Sequence, residues 1–376
     1  MITKILKNKL KEGLNIVERI ATKSLTLPIL NNILLKTEKN FLNLSSTNLE
    51  IGIKWWGLAK IEKEGSLVVP TKILSDFLSF LEEGPINLEI KDQILNIETE
   101  KYSTKIKGFS PEEFPIIPEV SPVETISISN RFLTNGLKQI VQIPILSSAR
   151  PEISGIYFNF QKDLIKMVST DSFRLGEKKI FLKEPLPIQK EYSCILPQRT
   201  AKEIVNILGE REGESKIFLS PNQILFESPM AETSHPEIQI FSKLIEGEYP
   251  DYQAILPQKF TTQIILNKDE FLNQLRAASL FASKINEIKL KTDAKKGVVE
   301  IFSQNPDLGE YQSKIFAKIK GKEIEISFNF RFLIDGLLNI ETPEISFELN
   351  GPEEAAVLKG VEDQSYLYLV MPIKPS

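Results

Sequence analysis

Three sets of segments recur along this chain at a spacing of roughly 125 to 135 residues, and that triplication narrows its possible folds more than any other feature. The first set comprises residues 44–53 (LSSTNLEIGI), 167–180 (MVSTDSFRLGEKKI) and 301–315 (IFSQNPDLGEYQSKI). Each has a Ser followed by Thr or Gln and then Asn or Asp, between flanks of alternating apolar character, which reads as two strands joined by a turn. The second set, residues 68–81 (VVPTKILSDFLSFL), 195–208 (ILPQRTAKEIVNIL) and 326–338 (ISFNFRFLIDGLL), reads as a strand running into an amphipathic helix, with Ile73, Phe77 and Leu81 as one stripe. The third set, residues 7–21, 130–143 and 268–281, predicts a leading helix in each repeat, with Gly13-Leu14 and Gly136-Leu137 in matching register.

Basic side chains return at one equivalent place. Two residues after Pro70, Pro197 and Asn329 stand Lys72, Arg199 and Arg331, each near a predicted helix start. A helix dipole favours acids at that end, so local stability does not account for the choice. The leading helices add Lys7, Lys9, Lys11 and Arg19, then Arg131 and Lys138, then Lys268 and Arg276, with Lys284 trailing. The whole chain nevertheless has 50 acids against 46 Lys and Arg, a formal net charge of −4, which argues against a uniformly basic nucleic-acid binder. Positive charge is therefore expected to be segregated onto helices, leaving the acids to strands and loops.

Between the predicted helices, residues 86–97, 216–227 and 344–351 alternate as short antiparallel strands do. The expected fold class is α+β, with three similar domains of two helices and about eight strands each, helices covering one face of antiparallel sheets. Loops carrying Pro122 and Pro257 place the boundaries at 1–123, 124–257 and 258–376. A 41% hydrophobic, 26% charged chain of 376 residues can bury a core in each of them.

Five motifs then carry a resemblance. The run 26–30 (TLPIL), the segment 150–155 (RPEISG), the loop 170–175 (TDSFRL), the segment 246–257 (EGEYPDYQAILP) and the ending 370–374 (VMPIK) occur in order on the triplicated chain, and together it resembles the bacterial sliding-clamp family, the beta subunits of DNA polymerase III. The resemblance implies a DNA-clamp fold that forms a head-to-tail homodimeric ring, helices lining a central hole and sheets forming the rim. Duplex DNA would be held by topology and by sequence-independent phosphate contacts. The repeat pattern and the resemblance together nominate Lys72, Arg131, Lys138, Arg199, Lys202 and Arg276 for the inner wall, and the resemblance adds Lys23 and Arg150.

The resemblance also implies a groove that receives short linear motifs of polymerase, clamp-loader and repair proteins. Its lining would be Ile153, Thr170, Ser172, Phe173, Arg174, Leu175, Pro250, Ala254, Ile255, Leu369, Val370, Met371, Pro372 and Ile373, with Lys374 at the rim. A mostly apolar cleft containing a methionine can re-pack around varied ligands. The alternative for Leu369, Val370 and Ile373 is a final core strand. Two departures stand out: Ser24 and Leu25 replace an Arg common in the family, shifting any phosphate contact to Lys23, and Ser172-Phe173 replaces a frequent Gly-His, making the groove more apolar and narrower. The implied dimer contact joins Lys101, Lys105, Ile106 and Lys107 to Leu272, Leu275, Glu300 and Glu310 of a second copy. The alternative for those lysines is protection of an exposed strand edge.

Other chemistry is sparse. His235 is the only histidine, read as a surface-loop residue, and Cys194 the only cysteine, read as a buried inert thiol, so a histidine triad, a zinc ribbon and an internal disulfide are excluded. There is no Walker-type or dinucleotide-type glycine run, and no cofactor or metal is expected. The paired acids Glu82-Glu83 and Glu112-Glu113 read as solvated turns, although a triplicated carboxylate hydrolase would need such groups convergent in a cleft. Trp55-Trp56 could stack on bases, but strand alternation predicts one ring inward and one outward. A protein-only scaffold ring is the third reading. Without a secretion signal or an apolar stretch of about 18 residues, the chain is expected in the cytoplasm, associated with the nucleoid, and off the membrane.

Overall fold

The computed structural model describes residues 1–21 and 27–374. Lys23, Ser24 and Leu25 lie outside the described residues, and so does Thr26. Among the described residues there are six α-helices: α1 (Lys7–Val17), α2 (Thr71–Phe80), α3 (Asn130–Ile140), α4 (Gln198–Leu208), α5 (Lys268–Ser279) and α6 (Phe330–Leu338). The 26 strands fall nine, eight and nine to the three repeats, and every ladder between them is antiparallel. The architecture is thus α+β, with a strand feeding each helix, as the sequence predicts for α2, α4 and α6.

The leading helices end earlier than their apolar spacing suggests. Ile20 and Ile143 are buried, yet both lie in turns beyond the helices, so the hydrophobic pattern runs on after the helical hydrogen bonding stops. Glycine sets how closely these helices sit on their sheets: a Cβ at Gly13 would lie 2.2 Å from the Trp55 ring, and one at Gly136 would lie 2.2 Å from the Met167 methyl. In α2 the buried stripe is Leu74 and Leu78, not Ile73 and Phe77. That helix is apolar on two sides, so periodicity alone could not choose between them. Ile73 and Phe80 are left 56% and 77% exposed.

The contacts divide the chain into two compact units, Met1–Thr134 with Glu203–Leu244, and Asn135–Lys202 with Ile245–Ser376. The first holds a five-stranded and an eight-stranded sheet, the second a nine-stranded and a four-stranded sheet. The two largest sheets are each built across a repeat junction. Strand Ile51–Leu58 pairs with Pro236–Lys243 in the first unit, and Arg174–Phe181 pairs with Tyr366–Val370 in the second.

Candidate functional site

Lys72, Arg199 and Arg331 are each the second residue of a helix, α2, α4 and α6, directly after the strands Ser66–Pro70, Tyr192–Pro197 and Glu325–Asn329. All three are exposed and none makes an ion pair with a described residue. The first turns of α2, α3, α4 and α6 contain no acid, so these cations add to the positive end of each helix dipole rather than being offset. Arg131 repeats the arrangement as the second residue of α3; Lys138 and Arg276 are exposed in the last turns of α3 and α5, and Lys202 is half-buried on α4. Arg150 is more committed, pairing with Glu152 at 3.4 Å and donating to the Ser172 hydroxyl at 3.3 Å.

The first leading helix departs from the expected charge pattern. Lys7 is buried and paired with Glu83 at 2.6 Å, Lys9 is paired with Glu12, and Arg19 is held by Glu203 at 2.5 Å. Their charge is spent within the unit, on Glu12 of α1 itself and on Glu83 and Glu203 from other parts of the chain, and a count of lysines alone does not reveal the latter two.

In the second unit, the loop 170–175 is locked by its own polar side chains. The Asp171 carboxylate accepts the backbone N–H groups of Phe173 and Arg174, both at 3.0 Å, and Thr170 donates to the Arg174 carbonyl at 2.8 Å. Ser172 adopts φ +76°, and Phe173 is turned out, 61% exposed. Arg174 is a brace. Its guanidinium binds Asp171 at 2.9 Å and Asp335 at 2.5 Å, with its central carbon 4.6 Å above the Phe332 ring. Nearly all of it is buried, so it positions the loop instead of meeting a ligand.

Beneath the loop, Val168, Leu175, Tyr252 and Leu369 form a buried cluster, on which Tyr157, Tyr249, Leu256, Ala355, Leu367 and Met371 pack with part of their surface open. Antiparallel pairing sets Leu175 opposite Leu369 and Arg174 opposite Val370, and the Met371 amide donates to the Phe173 carbonyl at 2.8 Å. Of the predicted groove residues, Ile153, Arg174, Leu175, Leu369 and Val370 are therefore floor or frame, enclosed because the strands carrying them are ladder-paired on both sides or covered by a turn. Thr170, Pro250, Met371, Pro372 and Ile373 are half-buried, while Ser172, Phe173, Ala254, Ile255 and Lys374 are exposed. Sequence reasoning missed Tyr157, Tyr249, Leu256, Phe332 and Asp335. Tyr249 and Leu256 lie inside a quoted motif, but the others are brought in by strand pairing and by α6.

The strand Ser103–Lys107 forms one edge of the five-stranded sheet, with Lys105 and Lys107 exposed; Lys101 precedes it and binds Glu82 at 2.7 Å. The strand Gly309–Phe316 forms an edge of the four-stranded sheet and exposes Glu310, while Glu300 is paired with Lys314 at 2.8 Å. Ile106, Leu272 and Leu275 are buried within their own units, which removes them as contact residues: they are the inward positions of an edge strand and of α5.

Two further expectations change. Trp55 and Trp56 are both buried, the second because His235 covers it edge-on at 5.5 Å; His235 also stacks on Phe41 at 4.1 Å, so it is a half-buried packing residue. Glu82 and Glu83 border a cleft of about 120 Å³ together with Glu100, but both are exposed and are taken up as ion-pair partners of Lys101 and Lys7. Among the described residues no group of three His, Cys, Asp or Glu side chains is placed to hold a metal, and no helix is long and apolar enough to cross a membrane.

Comparison with known proteins gives one consistent result. The chain matches the DNA polymerase III beta subunit N-terminal domain over residues 1–118, the central domain over 128–251 and the C-terminal domain over 253–374. The beta sliding clamp of Bacillus subtilis is 26% identical over 381 residues, covering 98% of both chains, and that of Staphylococcus aureus is 26% identical over 359 residues, covering 93% of both. The solved sliding clamp of Bacillus subtilis superposes with a TM-score of 0.93 at 26% identity over the full length of each chain. A Pseudomonas aeruginosa clamp, solved bound to griselimycin, gives 0.92 at 23% identity, again over both full lengths.

Proposed function

Because this chain belongs to the DNA polymerase III beta-subunit family, the non-catalytic sliding clamps, we propose that two copies close head to tail into a ring that encloses duplex DNA and tethers the replicative polymerase. The observation that carries this reading is the threefold return of an exposed, unpaired cation at the second position of α2, α4 and α6. In a net acidic chain such a pattern concentrates positive potential on one class of element. Contacts of this kind neutralise phosphate without reading bases, which is what a protein that must slide requires.

Three domains, bounded near residues 123 and 257, each supply two helices to the proposed lumen. Lys72, Arg131, Lys138, Arg199, Lys202, Arg276 and Arg331 face DNA there, with Arg150 at the margin. The groove of the second unit, from exposed Phe173 across Met371 to Ile255, takes linear motifs of polymerase, clamp-loader and repair proteins. Self-association adds the open strand edge bearing Lys105 and Lys107 to the edge bearing Glu310 of another copy, with the exposed Ile73 and Phe80 of α2 covered in the contact. The ring acts in the cytoplasm on nucleoid DNA.

Loading the protein onto nicked circular DNA with a clamp loader, then linearising, tests the reading. The clamp predicts retention on the circle and loss through free ends. Equal retention on both forms, or no loading on the circle, overturns it, the second in favour of a scaffold ring that never holds DNA.

A further inference from the structure

The chain contains two Asn-Gly pairs, Asn135-Gly136 and Asn350-Gly351. In such a pair the backbone nitrogen after the asparagine can close a five-membered ring onto the side-chain amide carbon, and glycine leaves that nitrogen uncrowded. Whether the ring closes depends on the backbone around it. Asn135 and Gly136 lie in the middle of α3, where helical hydrogen bonding takes up the Gly136 amide. Attack there requires a turn of the helix to open first.

The second pair stands in a bend directly after the strand Glu344–Leu349. The Gly351 N–H donates to no described residue, and neither does Nδ2 of Asn350. Asn350 is held by its two oxygens instead. The Thr261 backbone N–H donates to Oδ1 at 3.0 Å, shared with the Leu349 carbonyl at 3.0 Å, and the Thr261 hydroxyl donates to the Asn350 carbonyl at 2.8 Å. The nucleophile and the leaving group are therefore free. The oxygen on which charge builds during attack faces a fixed N–H donor, which is the arrangement that stabilises an oxyanion.

We propose that Asn350 is a site of spontaneous deamidation, with water as the only co-reactant. The Gly351 nitrogen gives up its proton to solvent base and bonds to Cγ of Asn350. The Cγ–Nδ2 bond breaks, and the side-chain nitrogen takes a proton and leaves as ammonia. Water then opens the succinimide at either carbonyl, giving aspartate or isoaspartate, and nothing is oxidised or reduced. The new carboxylate joins Glu353 and Glu354 in one acidic turn, and isoaspartate lengthens the main chain there by one methylene. Across that turn Ala355 packs on the buried cluster of the second unit, so aged copies differ from fresh ones beside the groove. The inference rests on the second unit alone and does not require the clamp reading.

The full-length protein is aged at neutral and at mildly alkaline pH, beside a sample aged in urea. Each is digested and mapped by mass spectrometry, with chromatographic separation of aspartate from isoaspartate. In the folded chain residue 350 is expected to convert faster as pH rises, and at least roughly tenfold ahead of residue 135, which waits on helix opening. In urea the two convert alike. Gly351→Ala is expected to slow conversion at residue 350 by at least roughly tenfold, because its methyl group crowds the attacking nitrogen. That chain still folds, since the added Cβ meets only Oε1 of exposed Glu354, at 3.1 Å. Residue 350 staying intact in the folded chain overturns the proposal, and so does conversion of residue 135 at an equal rate there. Conversion of Gly351→Ala at the unsubstituted rate assigns direct hydrolysis in place of ring closure and also overturns it.

Discussion

Ser169 donates its hydroxyl to the carbonyl of Ile140 at 2.8 Å, closing the last turn of α3 from the strand beneath it. Both other repeats contain the same bond: Ser46 to Val17 at 2.6 Å at the end of α1, and Ser303 to Ala278 at 2.7 Å near the end of α5. The last carbonyls of a helix have no partner within it, and these three are buried away from water. The Ile140 carbonyl also accepts the Ile143 N–H at 3.1 Å, so Ser169→Ala removes one of its two bonds and is expected to cost about 1 kcal/mol. Chemical denaturation of the two proteins checks this, and an unchanged midpoint would show the bond to be dispensable.

Arg174 joins the 170–175 loop to α6 through Asp171 and Asp335. Arg174→Met leaves the Asp171 carboxylate, 1% exposed, without its counter-charge. A loss of roughly 3 kcal/mol is expected, as for other broken buried pairs. Binding of a linear motif in the groove should weaken as well, since the loop that displays Phe173 loses its brace. Thermal unfolding and peptide titration measured on one preparation separate the two effects.

Replacing Lys72, Arg199 or Arg331 by alanine should weaken DNA binding equally on unrelated sequences. Each phosphate contact removed should flatten the dependence of log K on log salt by about 0.9. Filter binding or anisotropy across a salt series reads the slope. An unchanged slope in the triple variant would place these side chains away from DNA.

Charge reversal tests the self-association edges. Lys105→Glu combined with Lys107→Glu is expected to shift the protein toward monomer in sedimentation, and Glu310→Lys in the same chain should partly restore the dimer. Neither change touches a buried residue, so the readout is assembly rather than folding.

Burial pushes the Cys194 thiol up to about 12, from an ordinary 9.0. The unfolded chain therefore releases this proton first as pH rises, while the folded chain keeps it. Stability from this group is intact below about pH 9 and declines as pH rises toward 12, by about 1.4 kcal/mol per unit. Cys194→Ala should remove that slope from denaturation curves collected between pH 9 and 12. In the native protein the thiol should also resist disulfide reagents.

The amino-acid sequence by itself determined the triplication, the α+β class and the positions of the helix starts, since strand alternation, helical spacing and turn chemistry are local. It also placed Lys72, Arg199 and Arg331 at one equivalent position, because the repeat carries that information in register. Tertiary structure alone decided which apolar stripe of α2 turned inward, that Trp55 and Trp56 are both enclosed, and that Lys7 and Arg19 are spent on Glu83 and Glu203. It likewise decided that Arg174 braces the groove while Tyr157 and Phe332 join it. Each of these depends on partners far along the chain. Burial and pairing are properties of the space between elements, and no periodicity within one element specifies what will occupy that space.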